Sequence, residues 1–360
     1  MKPQIQLFTP IKVGPMTMPN RITVAPMCMY RAKSGVAQIF HKIHYAGLAA
    51  GGIGMVTIES TAVRPDGRTT DADLGLWSED CEAGLARLVS IIREYAPGVK
   101  VCIQLNHAGR RASTEPLTER ALGAFEGGWG TVAPSPIARG EGANRPRELD
   151  KAEIAEIVEA FAQAAARAVR AGVDAVLIHG ANGYLIHEFL SAVSNKRIDE
   201  YGGPFEARMR FGLEVVEAVC REVAGRVAVG LRVPASDWTG DGIRPEEALR
   251  FAKAAKAHGV DFVDVSTGGL VADEEIPYGA GYQVPFAAEF KKELGIPVFV
   301  GGCINAPWQA ETILVTGMAD AIDVGRGVLD DPHWGWHAAR MLNAKEVELP
   351  MQVALAYRRQ

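Results

Sequence analysis

His179, Asn182 and Tyr184 lie within six residues of one another, directly after the apolar run Val173 to Ile178. Their chemistries are complementary. An imidazole and a carboxamide can both donate hydrogen bonds to one oxygen, and a phenol is a weak acid suited to releasing a proton late in a reaction. The trio reads as an electrophilic clamp beside a general acid. Each residue also has a plainer role open to it, His179 as a satisfied structural side chain and Asn182-Gly183 as a turn. The spacing alone names no reaction.

Such a trio needs an element that presents it at a strand end. Asp150-Lys-Ala-Glu153 is a capping-box pattern, and Ile154, Ile157, Val158, Phe161, Ala162 and Ala165 follow at helical spacing until Gly172 ends the helix. Val173 to Ile178 then runs apolar, as a strand buried on both faces should. The same cassette returns with Pro245 at a first helical position, Gly259 as breaker and Val260 to Val265 as strand, and again over Gly317 to Val324.

Strand candidates number eight: Ile22 to Ala25, Met55 to Ile58, Val101 to Leu105, Ala175 to Ile178, Val227 to Val233, Phe262 to Val265, Pro297 to Val300 and Ala321 to Val324. Alternating with helices, they predict one α/β domain over 1–360, a single (β/α)8 TIM barrel, a fold that takes about 250 residues without insertions. The largest insertion, 110–149, lies between the third and fourth strands and is predicted to be an excursion over the barrel mouth. Trp129, Phe125, Pro134 and Pro136 suggest that it is ordered.

In a barrel the chemistry gathers at the carboxyl ends of the strands. There the sequence places Pro26 to Tyr30, Glu59 to Thr61, Gln104 and His107, the His179 trio, Arg232, Ser266 to Gly268, Gly301 to Cys303 and Gly325 to Gly327. Gly301-Gly302 and Gly325-Arg326 suit a phosphate corner, where backbone must approach closely and a guanidinium pairs with the anion. Arg232, inside an apolar strand, requires an anionic partner. A ligand and a protein carboxylate such as Asp237 or Asp264 are equal candidates on charge alone.

Composition narrows the class. The chain has 360 residues, is 48% hydrophobic and carries a net charge of -5, so it has no basic footprint for nucleic acid. Met1 to Pro10 lacks the apolar core of a signal peptide, and no stretch reaches the length of a membrane span, so a cytoplasmic protein is expected. Five cysteines, the nearest two 21 residues apart, form neither a disulfide framework nor a metal cluster.

Several ordered motifs carry a family likeness: Ala25-Pro-Met-Cys-Met-Tyr30, Gln104-Leu-Asn-His-Ala-Gly-Arg110, His179 to Ser191, Ser194-Asn-Lys-Arg197, and Tyr201-Gly-Gly with the Arg208 to Phe211 run. Over nearly its whole length the chain resembles the old yellow enzymes, flavin-dependent ene-reductases on a (β/α)8 barrel. Its length and the position of Cys28 are similar to the thermophilic-like branch, whose type members include the xenobiotic reductases.

The resemblance implies a non-covalently bound FMN contacted by Pro26, Met27, Cys28, Ser60, Gln104, Arg232, Gly302, Gly325 and Arg326, with Cys28 modulating the redox potential. It implies that NADPH, or NADH in its place, donates hydride transiently, in keeping with the absence of a G-x-G-x-x-G fingerprint. His179 and Asn182 would bind the carbonyl or nitro oxygen of a small electron-poor alkene, Tyr184 would protonate its α carbon, and Tyr30 would border it. Arg358, in the tail 350–360, would reach the active site of a neighbouring subunit in a homodimer or dimer-based oligomer. Two positions depart from the branch: Asn182 where some members have histidine, and Arg111 where close relatives have lysine.

Two other readings fit part of the sequence. A flavin-free phosphate-binding barrel lyase or isomerase explains the glycine corner but not Cys28, Arg232 or the trio. A non-catalytic flavoprotein serving as a redox sensor explains the cofactor residues alone. The larger iron-sulfur reductases on this barrel are disfavoured by the wide cysteine spacing and the lack of a second nucleotide-binding domain.

Overall fold

Eight parallel strands close on themselves in the computed structural model, which describes residues 4–345, 347, 349–351 and 354. They are β1 Ile22–Val24, β2 Met55–Ala62, β3 Lys100–Asn106, β4 Ala175–His179, β5 Ala228–Pro234, β6 Phe262–Ser266, β7 Val298–Val300 and β8 Ala321–Val324. Each pairs with the next, and β8 returns to β1 with Ile322 opposite Ile22, so the predicted (β/α)8 barrel has no open edge. Around it run α1 Ile39–Ala49, α2 Glu79–Tyr95, α3 Lys151–Ala171, α4 Arg210–Val223, α5 Pro245–Ala257, α6 Val284–Leu294, α7 Pro307–Val315 and α8 Trp334–Met341.

Local chemistry sets the boundaries of α3. The Asp150 carboxylate accepts the Glu153 N–H at 2.9 Å and the Glu153 carboxylate accepts the Asp150 N–H at 2.9 Å, so two donors of the first turn are satisfied. Ile154, Ile157, Phe161 and Ala165 are buried along one face, and Gly172 ends the helix at φ 91°. Removing the Asp150 side chain would cost about 1 kcal/mol.

Strand β2 runs four residues beyond its expected end at Ile58, because its register against β3 shifts between Ile58 and Thr61. The bulge bends the strand over the barrel and buries Glu59 and Ser60 beneath the mouth. Glu59 is held there by the Tyr45 hydroxyl, which donates at 2.7 Å, and by the Met29 N–H at 3.1 Å.

The opposite end is closed by an element the sequence reading did not anticipate, a hairpin of Ile11–Val13 and Met16–Met18. Ile11, Val13, Met16 and Met18 pack as one cluster against Met55, Cys102, Leu177, Phe262 and Phe299, residues on five of the barrel strands. The hairpin is a plug that keeps water out of the barrel floor.

Residues 110–149 fold across the mouth. Arg197 clamps their far end, its Nη1 donating to Pro134 O at 3.2 Å and Leu149 O at 2.6 Å. Trp129 is pinned by its indole N–H to Asp66 O at 3.0 Å and by Arg68 over its ring at 5.0 Å. Phe125, by contrast, is fully exposed, so it contributes nothing to that order. Among the described residues no helix is long and apolar enough to cross a membrane.

Candidate active site

A cavity of about 470 Å³ opens at the carboxyl end of the barrel. Of the residues singled out in the sequence, Pro26, Met27, Asn182, Arg232, Gly302, Gly325 and Arg326 line it. His179 ends β4 with its ring 4.8 Å from that of Tyr184 in an edge-on contact, which sets both beside Asn182.

Backbone geometry explains why the motif reads Asn-Gly-Tyr. Asn182 and Gly183 both adopt left-handed conformations, φ 56° and 74°, and a Cβ at Gly183 would lie 2.0 Å from Gly269 O. Only glycine fits that position. The Gly183 N–H donates to His187 Nδ1 at 2.9 Å, so the His187 proton sits on Nε2, which donates to Asp237 at 2.6 Å. Asp237 also accepts from the Ser191 hydroxyl and the Ile243 N–H, at 2.8 and 2.7 Å. This fully buried network holds the turn that carries Asn182 and Tyr184.

Protonation states follow from burial. Desolvation, reinforced by Arg232 and Arg111, pushes His179 well below its ordinary range, so the ring is neutral. Its Nδ1 accepts the Ala181 N–H at 3.4 Å, which leaves the proton on Nε2. Burial raises the Tyr184 phenol, opposed by the Arg111 guanidinium that sits 4.8 Å above its ring. Asn182 Nδ2 donates to Ser266 Oγ at 3.1 Å.

The other expected residues take distinct places. Cys28 is partly exposed, and burial of the thiol together with Asp73 and Glu59 pushes it well above its ordinary range, so it stands as a thiol. Tyr30 sits on left-handed backbone at φ 53°, and its phenol is likewise raised, chiefly by burial. Ser60 and Gln104 are buried, and Gln104 Nε2 finds no hydrogen-bond partner among the described residues. Arg358 lies outside the described residues.

Arg232 does have a protein partner. Its Nη1 lies 3.3 Å from the Asp264 carboxylate, while Asp237 belongs to His187. Arg232 Nε is nevertheless buried with no hydrogen-bond partner among the described residues. Asp323, on β8 beside Asp264 and held by the Thr23 hydroxyl, is pushed far above the carboxylate range by burial and by Asp264. One guanidinium cannot neutralise two carboxylates, so Asp323 keeps its proton.

At the other end of the cavity Arg326 Nη2 lies 2.9 Å from Cys303 Sγ. A Cβ built on Gly325 meets nothing closer than Met27 Sδ at 3.6 Å. Several lining residues carried no signal in the sequence: Glu119 and Arg139 from the excursion, and Glu274, Ile276, Tyr278, Tyr282 and Gln283 from the loop after β6. Neither segment is periodic or follows a motif, so only the fold brings them to the site.

The model of the NADH:flavin oxidoreductase / NADH oxidase family matches residues 6–345. An NADPH dehydrogenase of Geobacillus thermodenitrificans is 41% identical over 98% of this chain and 98% of its own. One of Bacillus subtilis is 43% identical over 96% of this chain and 98% of its own. Among solved structures, morphinone reductase in complex with tetrahydroNAD superposes with a TM-score of 0.77 at 28% identity, covering 98% of this chain and 94% of that one. An old yellow enzyme homologue from Zymomonas mobilis gives 0.77 at 26% identity, over 99% and 97%.

Proposed function

Since the chain belongs to the NADH:flavin oxidoreductase / NADH oxidase family, we propose that it is an NADPH-dependent ene-reductase acting on small electron-poor alkenes such as enones, enals, maleimides and nitroalkenes. The observation that carries this reading is the edge-on contact of a neutral His179 with a protonated Tyr184 two residues from Asn182, which lines the cavity. FMN is its cofactor and NADPH its hydride donor, as the family and the NADPH dehydrogenase relatives support. Bound FMN would supply two-electron, hydride-level redox chemistry at this cavity.

The residues present suit that group. Gln104 Nε2 and Arg232 Nε are buried donors without partners among the described residues, as an acceptor-rich pyrimidine edge requires. Pro26, Met27, Cys28 and Ser60 would flank the ring system. Gly302, Gly325 and Arg326 would hold the phosphate, where the absence of a side chain at Gly325 lets the backbone be approached closely. Asp264 pairs with Arg232 Nη1 and Ser266 Oγ accepts from Nη2 at 3.4 Å, which leaves Nε for the ligand.

His179 and Asn182 donate to the substrate oxygen and withdraw electron density from the double bond, which lowers the barrier to hydride addition at the β carbon. Neither donor charges or discharges near neutral pH, because His179 is held neutral and an amide does not titrate. Tyr184 delivers its proton to the α carbon. The phenolate left behind is stabilised by the Arg111 guanidinium above the ring.

Donor and alkene use the same cavity, so they must take turns. Initial-rate plots at several fixed NADPH concentrations are expected to run parallel. Intersecting lines would show both ligands bound at once and remove the single-cavity mechanism.

A further inference from the structure

Arg111 and Arg139 both project from the excursion into the cavity wall, and the carboxylate of Glu119 bridges them. Arg111 is fixed on its inner side. Its Nη1 donates to Asn182 O, and its guanidinium covers the Tyr184 ring. Arg139 is less completely satisfied, for its Nε is buried with no hydrogen-bond partner among the described residues. Glu119 is 43% exposed and sits on left-handed backbone at φ 55°, in the outer part of the excursion.

The neighbouring charges are only partly committed, since Glu274 Oε2 and Arg110 Nε are buried with no hydrogen-bond partner among the described residues. Arg110 donates to Leu270 O at 2.7 Å and Ile137 O at 3.2 Å, and Glu274 accepts the Gly269 N–H. What remains is two guanidinium groups converging on one solvent-accessible carboxylate, with a further N–H to spare. That arrangement is a built anion cradle in which the ligand is the protein's own side chain. A phosphate brings more acceptor oxygens and a higher charge than Glu119. The carboxylate can swing into water as the phosphate enters, while Arg111 stays anchored.

We propose that Arg111 and Arg139 form the subsite for a phosphate group of the nicotinamide donor, and that Glu119 holds the two arginines until the donor arrives. This rests on the NADPH-dependent reading above. The phosphate is either the pyrophosphate shared by NADH and NADPH or the 2′-phosphate of NADPH alone, and the two sources can be told apart.

Calorimetric titration of the FMN-loaded full-length protein with NADP+ and with NAD+ tests this in the parent and in Glu119→Gln and Arg139→Gln. Removing the competing carboxylate is expected to tighten NADP+ binding about threefold to tenfold, and removing the guanidinium to weaken it about tenfold. Equal changes with NAD+ support the pyrophosphate, and changes confined to NADP+ support the 2′-phosphate. Dissociation constants unchanged for both NADP+ and NAD+ in both variants overturn the subsite. A parent protein that binds FMN but is not bleached by NADPH would overturn the donor reading itself, and the subsite with it.

Discussion

Replacing Tyr184 with Phe is expected to slow alkene reduction by about 10²- to 10⁴-fold while leaving reduction of the cofactor by NADPH near the parent rate. The phenol is held protonated by burial, and its ring lies edge-on to His179 under the Arg111 guanidinium. Phenylalanine keeps the ring contacts and loses the hydroxyl, with its proton and its interaction with the Thr69 side chain. Nothing about hydride transfer from the donor needs that proton, so the two half-reactions should separate. Anaerobic single-turnover measurements of each half-reaction read this directly. Equal slowing of both would mean that Tyr184 shapes the cavity and does not donate.

A second large effect concerns stability. Glu188, fully buried in the helical turn Leu185–Leu190, accepts the Arg110 N–H at 2.8 Å, and desolvation pushes its carboxyl up to about 8, only partly offset by Arg110. A group raised in the folded state contributes stability that is fully present below its unfolded pKa, near 4.5, and is lost as pH climbs to about 8. In that window the unfolded chain has released a proton that the native protein still binds. Glu188→Gln keeps an acceptor for Arg110 and has nothing to titrate. The variant should therefore gain on the parent by about 3–5 kcal/mol between pH 4.5 and pH 8, with no further gain above. Denaturant unfolding of both proteins across that range checks it. A constant difference would show that Glu188 ionises normally. A side chain at residue 109 would disturb the same group, because a Cβ there would lie 2.3 Å from Glu188 Oε1 on backbone at φ 59°.

How much of this was legible in the sequence depends on what each element packs against. Strands buried on both faces read as continuous apolar runs, so β4 and β6 appear in the sequence at nearly their true bounds. The α3 boundaries were equally plain, since Asp150, Glu153 and Gly172 act locally. The extension of β2 was hidden because it depends on a bulge against β3. The floor hairpin was hidden because three-residue strands fall below any periodic signal. The trio was legible as chemistry because its residues are adjacent in the chain. The Arg111, Glu119 and Arg139 cluster was not, because only the fold of an aperiodic excursion unites it. Arg232 shows the limit most clearly: charge logic demanded a partner, and only the parallel register that sets Arg232 opposite Asp264 chooses between candidates.

The visible absorption spectrum of the purified protein, loaded with FMN and kept anaerobic, tests the central claim most directly. Addition of NADPH should bleach the flavin band, and subsequent addition of 2-cyclohexenone should restore it. A band that NADPH bleaches but no electron-poor alkene restores would contradict the assignment of His179, Asn182 and Tyr184 to alkene reduction.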